Sequence, residues 1–272
     1  MLSLTAFEHV INFSEMSQKA VLVGAGNVAT QLGLTMSKAG YSIGMVISKT
    51  SKSSTVLAKK LNCPHSTNIH DIPLDTDIII IAVNDDAIAT VVKKIKHKSA
   101  HVLHTSGTTE MSVLKKHFKN CGVLYPLQTF SKDIAIDLTS TPLLIEGNSK
   151  KNTAILTHFA KNISKHIIFA DSKKRKEIHL AAVFACNFSN YMYSIANTIL
   201  KKEKLDISIL SALIEETTKK AIKGNPELQQ TGPAKRNDKI TLKTHINLLK
   251  KNKDYQHIYK TLSQSIEKKY KK

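Results

Sequence analysis

Four isoleucines in succession, Ile78 to Ile81, leave no polar position for a solvent-facing side. A strand built from them has to be buried on both faces, the condition of a parallel sheet covered by helices. The chain around this run has the matching alternation. Apolar, β-branched runs predict strands at residues 19–23, 42–48, 77–83, 101–104, 122–125, 142–146 and 166–170. Helical patterns between them predict helices at 27–39, 53–61, 86–94, 111–118 and 151–162. After Asp171 the strands stop, and helices are expected at 172–201, 206–223, 239–251 and 254–269. The one long break among those, 224–238, carries Pro226, Gly232 and Pro233.

The expected plan is therefore a sheet domain at 19–170 followed by an all-α domain at 171–272, with residues 1–18 as an extension. That extension contains Glu8 and Glu15 and lacks a basic start followed by an apolar stretch, so it does not read as a signal peptide; Met16 is an alternative start. No apolar run reaches the roughly 20 residues needed to cross a bilayer, and no membrane role is expected. Cys63, Cys121 and Cys186 are too scattered for a disulfide framework or a zinc site, which points to a reducing, cytoplasmic setting with all three as buried apolar cysteines.

A net charge of +19 raises the question of nucleic acid. Only Arg175 and Arg236 among the 40 basic residues are arginine, and the lysines are spread along the chain except for the tail at Lys268, Lys269, Lys271 and Lys272. A nucleic-acid reader is expected to use arginine for bidentate contacts, so no nucleic-acid partner is expected. The charge favours small anionic molecules instead.

The first strand runs into Gly24-Ala-Gly26-Asn27-Val28-Ala29, a G-x-G-x-x-A turn entering a helix. Gly24 permits the tight turn, Gly26 lets backbone approach a pyrophosphate, and Ala29 lets the helix pack closely on the strand. Placed in the first strand–helix–strand unit, the pattern reads as the dinucleotide site of a Rossmann fold: α/β, a mostly parallel sheet with helices on both faces, followed by the all-α C-terminal domain. NAD-binding sites hold the ribose with an acid at the end of the second strand. No acidic residue occurs between Met16 and His70, and the second strand ends instead in Ser48-Lys49-Thr50. Hydroxyls and an ammonium there suit a 2′-phosphate, so the expected cofactor is NADP. Val83 and Asn84 after the isoleucine strand, and Thr105 and Ser106 after the next, are expected to border the cofactor; a cap role is sufficient for Asp85 or Asp86.

With those segments the chain resembles a family of predicted Rossmann-like oxidoreductases whose C-terminal half is a domain of unknown function. The likeness is carried by the glycine turn, by His104-Thr-Ser-Gly, by Tyr125-Pro-Leu-Gln-Thr-Phe, and by Thr231-Gly-Pro-Ala-Lys-Arg-Asn-Asp238; the stretch His179 to Asn190 resembles its long helix. The family is similar in plan to ketopantoate reductase, pyrroline-5-carboxylate reductase and the 6-phosphogluconate and β-hydroxyacid dehydrogenases. The resemblance implies hydride transfer from NADPH to a small anionic carbonyl or imine compound, with ketopantoate as the named guess, and a homodimer formed through the helical domain. The Lys-x-x-x-Asn pair that β-hydroxyacid dehydrogenases and ketopantoate reductases carry is absent: Leu180 stands four residues after Lys176, and Val183 four before Asn187.

A carbonyl reduction still needs a proton donor. At 3.6 residues per turn, His179, Asn187 and Asn190 fall near one face of the long helix, and the first two are candidate catalytic residues. Each could equally be a satisfied polar residue of the core. Arg236, one of two arginines, is a candidate for a carboxylate or phosphate, with an ion pair to Asp238 or Glu216 as the alternative. Asp238 reads as the cap of the helix that follows. Lys220 could replace the missing lysine, or form a surface pair with Glu216 four residues before it. No cluster has metal-ligand spacing, so no metal is expected. The competing function is a non-catalytic NADP-binding protein that senses redox state or binds a partner.

Overall fold

The computed structural model describes residues 18–131, 134 and 136–271. Eight strands among them form one sheet: β1 (Lys19–Val23), β2 (Ser42–Ile47), β3 (His65–Ser66), β4 (Ile78–Ile81), β5 (His101–His104), β6 (Cys121–Pro126), β7 (Leu143–Gly147) and β8 (Ile167–Phe169). Their spatial order is β3-β2-β1-β4-β5-β6-β7-β8. All neighbours are parallel except β6 and β7, which run antiparallel. A parallel return needs a crossover, usually a helix; the described part of the β6–β7 connection carries only the 3-10 turn Leu138–Ser140.

The isoleucine strand shows why the sheet needs two covers. Ile78 and Ile80 join the core on one face with Leu32 and Met36 of α1 (Asn27–Lys38), Leu57 of α2 (Ser51–Leu61) and Phe159 of α5 (Lys150–Lys161). Ile79 and Ile81 join the core on the other face with Ile88 and Val92 of α3 (Asp85–Lys94) and Leu114 of α4 (Ser112–Lys115). Each buried isoleucine contributes about 1.5–3 kcal/mol relative to exposure. The two-residue β3 was not expected, because so short an edge strand carries no periodic pattern.

The expected helix at 172–201 has the expected extent but not uniform winding. It consists of α6 (Ser172–Ala182), a π-helical segment Val183–Phe188, and α7 (Ser189–Lys202). A π turn bonds i to i+5 and takes more residues than an α turn, so the 3.6-residue arithmetic that put His179, Asn187 and Asn190 near one face does not carry across it. The chain separates into two compact units, one ending at Cys186 and one spanning Asn187–Lys272. The division falls inside the long helix rather than at 171, because the buried Arg175 ties α6 to the sheet.

The second unit consists of α7, the 3-10 turn Ile207–Leu210, α8 (Ser211–Lys223), α9 (Lys239–Leu248) and α10 (Lys253–Tyr270). Its starts are capped as their residue types lead one to expect: Asp206 accepts from Ser208 N–H, Asp238 from Thr241 N–H, and Asn252 from Tyr255 N–H. Among its described apolar side chains only Ala234 and Leu242 are buried. No helix among the described residues is long and apolar enough to cross a membrane. The cysteines do not share one environment: Cys121 is buried, Cys63 half-buried and Cys186 exposed, which corrects the expectation for the last.

Candidate functional site: a dinucleotide turn and a strand-end cluster

The two glycines of the turn serve different ends. Gly24 has φ +123°, and a Cβ there would lie 2.2 Å from the Ala82 carbonyl oxygen, so both backbone conformation and space demand glycine. Gly26 has ordinary extended backbone as the N-cap of α1, and a Cβ on it would meet no described atom within 4 Å. Its lack of a side chain keeps open the space in front of the helix rather than relieving a clash. No acidic residue occupies the first turn of α1, and Gly26 offers no side-chain cap. The first backbone N–H groups of the helix are thus left to an anion.

That space opens into a cleft of about 950 Å³ at the carboxyl ends of β1, β2 and β4. Gly24, Gly26, Ser48, Lys49, Val83 and Asn84 line it. The donor set fits a dinucleotide carrying a 2′-phosphate: helix N–H groups for the pyrophosphate, and a hydroxyl and an ammonium at the end of β2. Ser53, His70 and Lys94 also line the cleft and had not been singled out. Thr50 stands as N-cap of α2 with its hydroxyl on Ser53 Oγ, 3.0 Å away. Asn27 donates from its side-chain amide to the Phe130 carbonyl at 2.7 Å, and Val28 packs against the core; neither lines the cleft with its side chain. Thr105 and Ser106 are buried in the β5 loop, where Ser106 Oγ accepts from Thr108 and Thr109 N–H.

A second group gathers where β5 and β6 end. Arg175, fully buried on α6, forms an ion pair with Glu146 and donates to the Thr109 carbonyl at 2.5 Å and Ser172 Oγ at 3.3 Å. About one helical turn further along α6, His179 shares a 2.8 Å hydrogen bond between its Nδ1 and the Tyr125 hydroxyl. Their rings meet edge to face, centroids 5.8 Å apart. Gly107 makes room for both: a Cβ there would lie 2.7 Å from His179 Nδ1 and 3.0 Å from Tyr125 Cζ. Burial, foremost, raises the Tyr125 phenol above its ordinary value. His104 is wholly buried; its Nδ1 accepts from Ser106 N–H at 3.2 Å, which places its proton on Nε2. That Nε2 has no partner among the described residues. Burial, then the Arg175 charge, pushes the His104 pKa down to about 3, so the ring is neutral.

Of the expected catalytic residues, only His179 belongs to this group. Asn187 is exposed within the π-helical segment. Lys220 is exposed on α8 and pairs with Glu216 at 3.1 Å, the surface pairing foreseen as its alternative. Arg236 is exposed on the second unit, beside Lys239, Glu267 and Lys268. The reasoning that a rare arginine needs its planar fork applies to Arg175, whose guanidinium is engaged on three partners. Asp238 caps α9 as expected. No group of three or more His, Cys, Asp or Glu suited to a metal ion occurs among the described residues.

Residues 19–106 match the family model described as NADP oxidoreductase coenzyme F420-dependent, and residues 141–266 match a domain of unknown function, DUF2520. No protein of curated function matches the chain. Among solved structures, a Bacteroides fragilis protein named as a candidate NADP oxidoreductase is 36% identical, with a TM-score of 0.89 over 93% of this chain and 98% of that one. An imine reductase from Myxococcus stipitatus in complex with NADP+ (12% identity, TM-score 0.63, 92% of each chain) shares the fold. So does the 1-pyrroline-5-carboxylate reductase of Streptococcus pyogenes (12%, 0.60, 92% of this chain and 98% of that one). With the glycine turn, the acid-free second strand and this likeness together, the chain belongs to the Rossmann-like NADP oxidoreductases that carry a C-terminal DUF2520 domain, a family whose cofactor is NADP.

Proposed function

We propose that this protein is an NADPH-dependent reductase of a small anionic carbonyl or imine compound, and that it works as a homodimer joined through its helical unit. The observation that carries the reading is the pairing of an open, cation-bearing dinucleotide cleft with a cluster of proton-bearing side chains at the ends of the adjacent strands. Ligands of open α/β sheets bind at this carboxyl edge. Bound NADPH supplies a hydride. Gly24, Gly26 and the backbone of Asn27 and Val28 would hold its pyrophosphate, with Ser48, Lys49 and Thr50 around the 2′-phosphate. Val83, Asn84, Thr105 and Ser106 would border the remainder. His179 takes part in proton delivery, while Asn187 and Arg236 are held as substrate-binding candidates and Lys220 as the weakest of the set. The net charge of +19 draws an anionic substrate toward the surface.

The dimer is supported by apolar side chains left in solvent on the helical unit, among them Leu213 and Ile222 on α8 at 65% and 78% exposure. Light scattering behind size exclusion should give twice the chain mass; a monomer at all concentrations would refute it. The reaction is tested by NADPH oxidation against small keto acids and cyclic imines, ketopantoate and 1-pyrroline-5-carboxylate first. Turnover of any supports the reductase. Tight NADPH binding without turnover across the panel favours the non-catalytic sensor, a reading that the missing Lys-x-x-x-Asn pair supports.

A further inference from the structure

We propose that Tyr125 is the proton donor of this reductase and that the group it serves is a carbonyl; the proposal rests on the reductase reading above. Tyr125 closes β6, beside the end of β5, on the sheet edge where the dinucleotide cleft opens. It is half-buried. Its partner His179 is also half-buried and comes from a different element, α6. The space for both rings is created by Gly107, where even a methyl group would strike His179. Three segments of chain thus meet to hold one phenol against one imidazole.

The direction of the hydrogen bond decides what the pair can do. With the proton on His179 Nδ1, the imidazole donates to the phenol oxygen and leaves the Tyr125 O–H for a substrate. The carbonyl carbon then gains the hydride, the C=O π pair moves to oxygen, and that oxygen takes the phenolic proton to give the alcohol. The phenolate is left accepting from His179 Nδ1–H. The phenolate then takes a proton from solvent, which restores the Tyr125 O–H with His179 still in its Nδ1–H form, so that each turnover consumes one hydride and one solvent proton. A raised phenol pKa keeps the donor protonated at neutral pH. An iminium ion arrives already carrying its proton and needs no such donor, whereas a carbonyl oxygen must gain one. This is the ground for choosing the carbonyl.

A built-in comparison exists in the second unit, where His245 Nδ1 and the Tyr259 hydroxyl also lie 2.8 Å apart between α9 and α10. That pair stands on two helices of the second unit and serves as the control. The test uses the full chain with Tyr125→Phe and Tyr259→Phe, each assayed for NADPH affinity and for reduction of a panel of α-keto acids and aldehydes. Tyr125→Phe should keep NADPH affinity within threefold and lose about 100-fold or more in kcat; Tyr259→Phe should lose nothing. NMR of protein with 15N-labelled histidine gives a substrate-free readout: His179 should be in its Nδ1–H form in the wild type and should leave that form in Tyr125→Phe. Carbonyl reduction by Tyr125→Phe within threefold of wild type, or an unchanged His179 tautomer, overturns the proposal. So does a wild type that binds NADPH but reduces no carbonyl, which leaves the cofactor reading standing. Failure to bind NADPH at all removes the reductase reading itself, and this proposal with it.

Discussion

Ile80 and Ile222 are the same residue in opposite surroundings: the first is wholly buried in the sheet, the second is 78% exposed on α8. The difference is general to the two units. Strand and helix residues of the first close two cores on either side of the sheet. The second has well-capped helices and local pairings but buries only Ala234 and Leu242 among its described apolar side chains. Capping and propensity form helices; they do not by themselves remove apolar surface from water. The sheet unit thus closes its own cores, whereas the helical unit leaves apolar side chains exposed, the surface through which a dimer is proposed above.

The largest effects should separate fold from function within the sheet unit. Gly24→Val forces a side chain into the Ala82 carbonyl from a left-handed φ, and soluble folded protein should not be recovered. Gly26→Asp, two residues on, meets no described atom and should fold with wild-type circular dichroism. Its carboxylate would oppose the pyrophosphate, so NADPH affinity should fall at least 100-fold. A folded Gly26→Asp that binds NADPH normally would remove the cofactor from this turn. Next, Arg175→Met leaves Glu146 without its cation and should cost about 3–5 kcal/mol in urea unfolding. A cost below 1 kcal/mol would show that α6 is not anchored through this pair.

The isoleucines test the comparison directly. Ile80→Ala should cost about 2–5 kcal/mol at any protein concentration. Ile222→Ala should cost little in dilute solution and more as concentration rises, because its burial depends on mass action. Equal, concentration-independent losses would abolish the distinction between the units. The smallest effect concerns acid. The His104 pKa, ordinarily 6.5, lies near 3 in the fold, so the unfolded chain takes up the proton first. Stability from this group is complete above pH 6.5 and drains away as pH falls toward 3. Half-buried His101, also lowered by burial, acts in the same direction. Stability against pH should therefore be flatter over this window in His104→Gln than in wild type; identical slopes would argue that His104 is not desolvated.

Legibility in the sequence followed the range of the interactions. The isoleucine run and the glycine turn are local patterns, and both predicted their elements to within a residue or two. The missing acid after β2 was equally local. Arg175 was passed over in favour of Arg236 because its partners, Glu146 and Thr109, lie 29 and 66 residues away. Tyr125 stood inside a quoted motif yet was not chosen, since its partner His179 is 54 residues on and no spacing rule connects them. The rarity of arginine was a usable signal for Arg175; nothing comparable marked Gly107. The π-helical segment was invisible for another reason: its apolar composition, Val-Phe-Ala-Cys-Asn-Phe, reads as ordinary helix.

With Ser48 and Lys49 at the end of β2 where an acid would hold an NAD ribose, the cleft before Gly26 should take NADP in preference to NAD. Calorimetric titration of the wild-type protein with NADPH and, separately, NADH tests it most directly. Both should bind at one site per chain, with NADPH at least tenfold tighter. Equal or tighter binding of NADH, or no heat from either, would contradict it.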